Sequence, residues 1–343
     1  MKILTLSDVQ KLIYKVGLTC LFQRIAEAME LDFFRWKDFH LSPRHATHYT
    51  HGVIELMPCS DNQLYSFKYV NGHPGNPDKG QLSVVALGQL SEVSSGYPLM
   101  ISEMTLLTAL RTAVTGVLAA KYLARPDARK LAIIGTGAQA EFQVMGLASF
   151  FQLEVVYFYD SESSAMKKFE KNLTGENFGM VACQNITETV SSADIIVTAT
   201  AAKKQQCLFK LENIGPGTHI HAMGGDCPGK TELDEKLLVH SKVVVEYMPQ
   251  SIIEGEMQQC PKSEIYAELW ELVAKKKPGR TNEQEITVFD SVGFALEDFS
   301  ILRVIYALAA EYQLGTEMTL IPELNDPKNL YGLITDSEFI NSR

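Results

Sequence analysis

The stretch LAIIGTGAQAEF, residues 131–142, constrains the fold of this chain more than any other. Four apolar residues run into Gly135, Gly137 follows, and Ala140 takes the third small position of a G-x-G-x-x-A pattern. A buried strand, a tight turn and a helix in that order form the first βα unit of a doubly wound parallel sheet. The first glycine permits the turn, the second lets backbone approach a pyrophosphate, and the small third residue lets the helix pack close. The helix N-terminus then offers amide donors and the positive end of its dipole to phosphates. Twenty residues beyond Ala140, VVYFYD ends in Asp160. An acid there accepts from a ribose 2′-hydroxyl and repels a 2′-phosphate, so NAD is expected over NADP. A plain cap on a helix beginning at 161–164 is the alternative use of Asp160.

The same rhythm continues downstream. AEFQVMGLASFF and SAMKKFEKNL read as helices; VVYFYD, ADIIVTAT, THIHAMG, KVVVEY and ITVFDS read as strands. Upstream the pattern differs. A helical run from Ser7 and Asp8 through LIYKVGLTCLFQRIAEAM precedes short alternating runs, GVIELMP, LYSFKYV, QLSVVALGQL and YPLMISEM, separated by turn clusters such as NGHPGNPDKG. The expected architecture is a Rossmann-type parallel sheet over residues 116–314, beside an α+β domain with a mainly antiparallel sheet over 1–115. A C-terminal segment, about 315–343, is expected to rejoin the latter.

Composition removes several classes. A net charge of −10 argues against a nucleic-acid surface, which needs clustered cations. Six cysteines without a C-x-x-C pair make a metal site unexpected. The N-terminus has no apolar leader, and TLLTALRTAVTGVLAAKYLA, broken by Arg111 and Lys121, falls short of a membrane span. A cytoplasmic protein is expected.

GGDCPGKT, residues 224–231, matches the phosphate-loop pattern letter for letter. Yet Pro228 deletes a donor amide, and Asp226 would put negative charge inside the cradle. Cys227 would need a base to act as nucleophile, and the nearest histidines, His219 and His221, share one face of the preceding strand. Asp226 itself stands at the C-terminal end of a parallel strand, where such sheets gather ligands. Gly224 and Gly225 would let backbone crowd a nicotinamide ring, and a carboxylate desolvated by ligand could shuttle protons. A helix N-cap is the competing use.

GTGAQA, MGGDCPGKTEL, GVIELMP with FKYVNGHP, and FDSVGFALEDF together resemble the ornithine cyclodeaminase/μ-crystallin family, from SDVQKLI through DSVG. The resemblance implies a Rossmann domain joined to a substrate domain that dimerises through its sheet, giving a homodimer or larger homo-oligomer. It implies conversion of L-ornithine to L-proline and ammonia, with NAD regenerated in each turnover. Asp226 would be the proton donor and acceptor, and Glu55 would hold the substrate amine. Lys68 and Arg44 would clamp its carboxylate, with Arg111 near substrate and cofactor and Val292 touching substrate. Cofactor contacts would come from Ser83, Arg111, Gly135, Gly137, Ala138, Gln139, Asp160, Thr200, Met223, Gly224, Gly225, Asp226, Lys230 and Ser291. Ser83 stands where a threonine is expected. Read without the resemblance, Lys68 and Arg44 are solvated strand residues and Glu55 a turn-facing acid.

Rival activities share the same hydride geometry: lysine cyclodeamination, cyclic ketimine reduction and amino-acid dehydrogenation. A non-catalytic nucleotide and ligand binder is the rival from another class, for which Asp226 would be superfluous.

Overall fold

The computed structural model describes residues 1–202 and 204–335. Two eight-stranded sheets dominate it. The first is parallel throughout, in the order Gly179–Ala182, Val155–Tyr159, Lys130–Ile134, Ile195–Thr198, His219–Ala222, Thr287–Asp290, Lys242–Val245, Ile265–Glu268. Strand order reverses on either side of Lys130–Ile134, so the 135–140 turn leaves the sheet at its topological switch point. The doubly wound fold read from the sequence is therefore the observed one. Its two edge strands, GMVA and IYAE, go beyond the expected set, because neither is the continuous buried apolar run that marks a central strand.

The second sheet runs Thr316–Glu317, Lys2–Leu4, Pro98–Glu103, Ala86–Glu92, Leu64–Gly72, Gly52–Ser60, His40–Leu41, with His45–Tyr49 also on Gly52–Ser60. It is antiparallel apart from Lys2–Leu4, which lies parallel to Pro98–Glu103. QLSVVALGQL enters the ladder only at Ala86; before it, the Val85 amide is held by Asn71 Oδ1 at 2.6 Å. Of the expected C-terminal segment, Thr316 and Glu317 pair with Ile3 and Lys2, and residues 336–343 lie outside the described residues.

Four expectations need correction. The first helical run is two helices, Leu6–Val16 and Leu18–Phe34, broken at Gly17, whose φ of 81° a helix cannot contain. The first starts on a Thr5–Asp8 capping box, just ahead of the expected start. The boundary expected at 115/116 falls inside one helix, Thr105–Leu123, which packs against both sheets. That helix is also long and apolar enough to cross a membrane, with mean hydropathy 1.2, but 67% of the window is buried inside the molecule, where the two sheets share it. The helix Ala295–Glu311, expected with the parallel sheet, covers the inner face of the antiparallel one. Leu296, Phe299 and Leu302 are fully buried there. Trp36 then ties the halves together, stacking on Phe33 at 5.8 Å and on Trp270 at 6.0 Å.

Candidate active site

The nucleotide turn is built as its residue types require. Gly135 has φ of 93°, and a Cβ there would lie 2.5 Å from the Ala199 carbonyl oxygen. A Cβ on Gly137 would meet nothing within 4 Å, which leaves open space at the start of the helix Ala140–Ala148. Asp160 ties the glycine turn to the loop that follows it. Its Oδ2 accepts from the Thr136 amide at 2.6 Å and its Oδ1 from the Glu162 amide at 2.9 Å, while the helix Ser163–Asn172 takes Glu162, not Asp160, as its N-cap. Gln139 Nε2 donates to the Ala109 carbonyl at 3.3 Å, and exposed Ala138 stands next to it. Lys168 donates to the Gly137 carbonyl at 3.0 Å while paired with Glu141 at 2.8 Å, a brace the sequence reading did not find. Open backbone, helix N-terminus and acid together fit a dinucleotide.

Two strands away, the 223–232 loop carries Asp226. Its glycines are required by the packing behind them. A Cβ on Gly224 would fall on the carboxylate of Glu232, and one on Gly225 would lie 2.5 Å from Glu256 Oε1. Buried carboxyls behind the loop demand glycine here. Glu232 also accepts from the amide and hydroxyl of Thr200, while the Met223 amide donates to Thr198. Glu256 takes the amides of Glu232 at 2.8 Å and Leu233 at 3.0 Å, and Asp290 takes those of Glu256 and Met257. Burial, and then Asp290, pushes Glu256 up to about 8; burial pushes Asp290 up to about 7. Asp226 itself is 53% exposed and pairs with buried Lys230 at 3.1 Å. Residues 227–230 line a cleft of about 780 Å³, closed on its other side by the 48–53 turn and Pro74–Asn76 of the antiparallel sheet. His219 and His221 are core residues, and burial drives His221 down to about 3.

The charged candidates of the antiparallel half are buried, so the solvated reading of Lys68 and Arg44 fails. Lys68 on Leu64–Gly72 donates to Asp298 Oδ1 at 2.8 Å. Arg111 on Thr105–Leu123 donates to the same oxygen at 3.0 Å and to Glu297 at 2.7 Å. Arg44 Nη1 pairs with Glu55 at 3.1 Å, its Nη2 donates to the carbonyls of Val292 at 2.7 Å and Gly293 at 2.6 Å, and its Nε faces Glu254 at 3.2 Å. Most of its donors are thus committed to protein acceptors. Glu246 receives the hydroxyl of Ser291 and the amides of Val292 and Gly293. Asp226 lies near enough to Arg44 and Glu254 to act on both electrostatically.

Ser83 stands apart. It lies in the loop before Ala86, its carbonyl taking the His73 amide at 2.8 Å, and no hydrogen bond among the described residues ties its side chain to the glycine turn. Conversely, Glu232, Glu246, Glu254, Glu297 and Asp298 all enter the site unexpected. A signal existed for two of them: adjacent Glu and Asp open a helix whose following turns are mainly apolar, so they fall among buried neighbours and need partners.

A glycine turn at the switch point of a parallel sheet, with a cleft at the strand ends that buried Lys230 lines, defines a dinucleotide-dependent α/β enzyme. Residues 7–313 match the ornithine cyclodeaminase/mu-crystallin family, and the chain belongs to it. It is 46% identical over 335 residues to an ornithine cyclodeaminase of Agrobacterium tumefaciens (strain Ach5), spanning 98% of this chain and 94% of that one. A lysine cyclodeaminase, solved to explain recognition of L-lysine, L-ornithine and L-2,4-diaminobutyric acid, superposes with a TM-score of 0.91 at 29% identity, over 97% of this chain and 99% of that one. An archaeal alanine dehydrogenase dimer with bound NAD superposes at 0.86 with 33% identity, over 94% and 99%.

Proposed function

We propose that this protein is an NAD-dependent ornithine cyclodeaminase, converting L-ornithine to L-proline and ammonia. The observation that carries the reading is the two-poled site. One pole is cationic, Lys68 with Arg111; the other, around Arg44, gathers Glu55, Glu254 and Asp226. A diamino acid presents a carboxylate to the first and an ammonium to the second.

Bound at the glycine turn, NAD would supply a hydride acceptor at the substrate Cα and, within the same turnover, the hydride donor. Gly135, Gly137, Ala138 and Gln139 would hold its phosphates, Asp160 its ribose, and Thr200, Met223 to Asp226, Lys230 and Ser291 its nicotinamide end, with Ser83 a further hydroxyl from the loop before Ala86. Lys68 and Arg111 fix the substrate carboxylate, Glu55 holds an amine, and Val292 borders the chain. Asp226 takes a proton from the distal ammonium, freeing a lone pair to attack the oxidised α-carbon and close a five-membered ring. Ring closure between groups held on one chain has a high effective molarity. Asp226 returns the proton to the departing α-nitrogen, which leaves as ammonia. L-Ornithine minus ammonia is proline, with no net redox change. In this reading the molecule is a homodimer through the antiparallel sheet.

With NAD, the protein should release ammonia and proline from L-ornithine without steady accumulation of NADH at 340 nm. Asp226→Ala should lower turnover by about 10²–10⁴-fold while NAD still binds. A near-normal rate in that variant would overturn the proton-transfer role. Steady NADH formation would instead indicate an amino-acid dehydrogenase.

A further inference from the structure

The proposed clamp contains one side chain without a part in it. Asp298 stands in the first turn of Ala295–Glu311, fully buried, and directs a single oxygen, Oδ1, at both Lys68 Nζ and Arg111 Nε. We propose that Asp298 is the positioning residue of the carboxylate clamp, fixing Lys68 and Arg111 relative to each other and countering their mutual repulsion. This rests on the reading of Lys68 and Arg111 as the groups that hold the substrate carboxylate.

Both cations keep donors after binding Asp298. Lys68 uses one of three N–H bonds on it, and Arg111 uses Nε there and Nη1 on Glu297, leaving Nη2. A carboxylate can therefore be received by two cations whose spacing is set from behind. Glu297 cannot replace Asp298, because it reaches Arg111 and not Lys68; burial, and then Glu246, also drives it toward its protonated form. The charged groups that face Lys68 come from three elements: Asp298, Arg111 on its own helix, and Arg44 ahead of the strand His45–Tyr49. Burial, and then Arg111, lowers the Lys68 ammonium to about 8; Asp298 opposes that shift and Arg44 adds to it. Removing the Asp298 charge leaves two cations acting on a buried third, so Lys68 must lose its proton at lower pH.

The test is calorimetric binding of L-proline to the NAD-loaded protein across pH, alongside L-ornithine turnover. Wild type should bind proline steadily at neutral pH and weaken as pH rises through about 8. Asp298→Asn should weaken binding at pH 7 by about tenfold, the scale of one charge-assisted hydrogen bond, and move the alkaline fall to lower pH. Its affinity for NAD alone should stay as in wild type. Lys68→Arg, which cannot titrate in this range, should remove the alkaline fall. An Asp298→Asn protein with wild-type affinity and pH profile overturns the inference while leaving the cyclodeaminase reading intact. If that variant does not fold, Asp298→Glu, which keeps the charge but displaces it by one methylene, takes its place, and wild-type proline affinity in it overturns the inference equally. A wild type that binds proline as described but releases no ammonia from L-ornithine supports the clamp and removes the substrate assignment. One that neither binds proline nor turns over L-ornithine removes the cyclodeaminase reading and this inference with it.

Discussion

Asp226 was legible as a residue because three separate signs met on it: a strand end, two glycines before it, and a phosphate-loop pattern that it and Pro228 spoil. What lies behind it was not legible. Glu232 closes the same loop and Glu256 lies beyond the next strand, neither at a spacing that tells which way its side chain turns, and only the folded chain brings their carboxyls to the positions a Cβ would need. Gly224→Ala is therefore expected to destabilise the protein by about 1–3 kcal/mol, the cost of overpacking a filled site, measured by denaturant unfolding. It should also lower turnover, because Asp226 is two residues away. A Gly224→Ala protein as stable and active as wild type would show that Glu232 does not occupy that space. Lys68 gives the complementary lesson. A lone lysine on an alternating strand reads as solvated, and its burial depends on Asp298, 230 positions away.

At the scale of elements, strong periodicity and turn chemistry gave the central parallel strands and most of the antiparallel ones. Burial on both faces writes a continuous apolar run, and burial on one face writes alternation. The edge strands GMVA and IYAE are too short to write either clearly. The antiparallel sheet also has a second face to account for. Ala295–Glu311 covers the inner one, while Leu56, Tyr69 and Leu87 stand in direct cross-strand register on the other and remain 45%, 36% and 56% exposed. An aligned apolar stripe on a sheet face is the kind of surface that an oligomer buries. Light scattering is expected to give a dimer mass for wild type and a monomer mass for Leu87→Glu. Unchanged mass in that variant would place the interface elsewhere.

The whole molecule stores buried titratable groups of both kinds, and their signs set its response to pH. Glu256 and Asp290, raised from 4.5 and 3.8 to about 8 and about 7, keep protons in the folded state that the unfolded chain has already released. Their contribution is complete at low pH and is lost as pH rises through 7 to 8. His219 and His221, lowered from 6.5, act oppositely: the unfolded chain takes up protons below 6.5 that the folded core refuses, so stability is lost on acidification. In the acid range the two pairs oppose each other, and above 6.5 the acids act without them. Stability should fall between pH 6.5 and 8, by at most about 1.4 kcal/mol per pH unit for each acid, and Glu256→Gln should flatten the fall. Thermal melts across that window check it; a melting temperature that rises with pH there would contradict the buried-acid assignment.

The cover of the antiparallel sheet has one more consequence, for the order in which the molecule is made. Residues 40–103 leave the ribosome with a core face whose partner, Ala295–Glu311, is still nearly two hundred residues from synthesis, and the edge strand Lys2–Leu4 waits still longer for Thr316–Glu317. The parallel sheet, whose strands and helices follow one another locally, is complete before that partner arrives. The half of the protein that is translated first is therefore the half that finishes last, and until then its apolar strands stand open to whatever holds nascent chains apart.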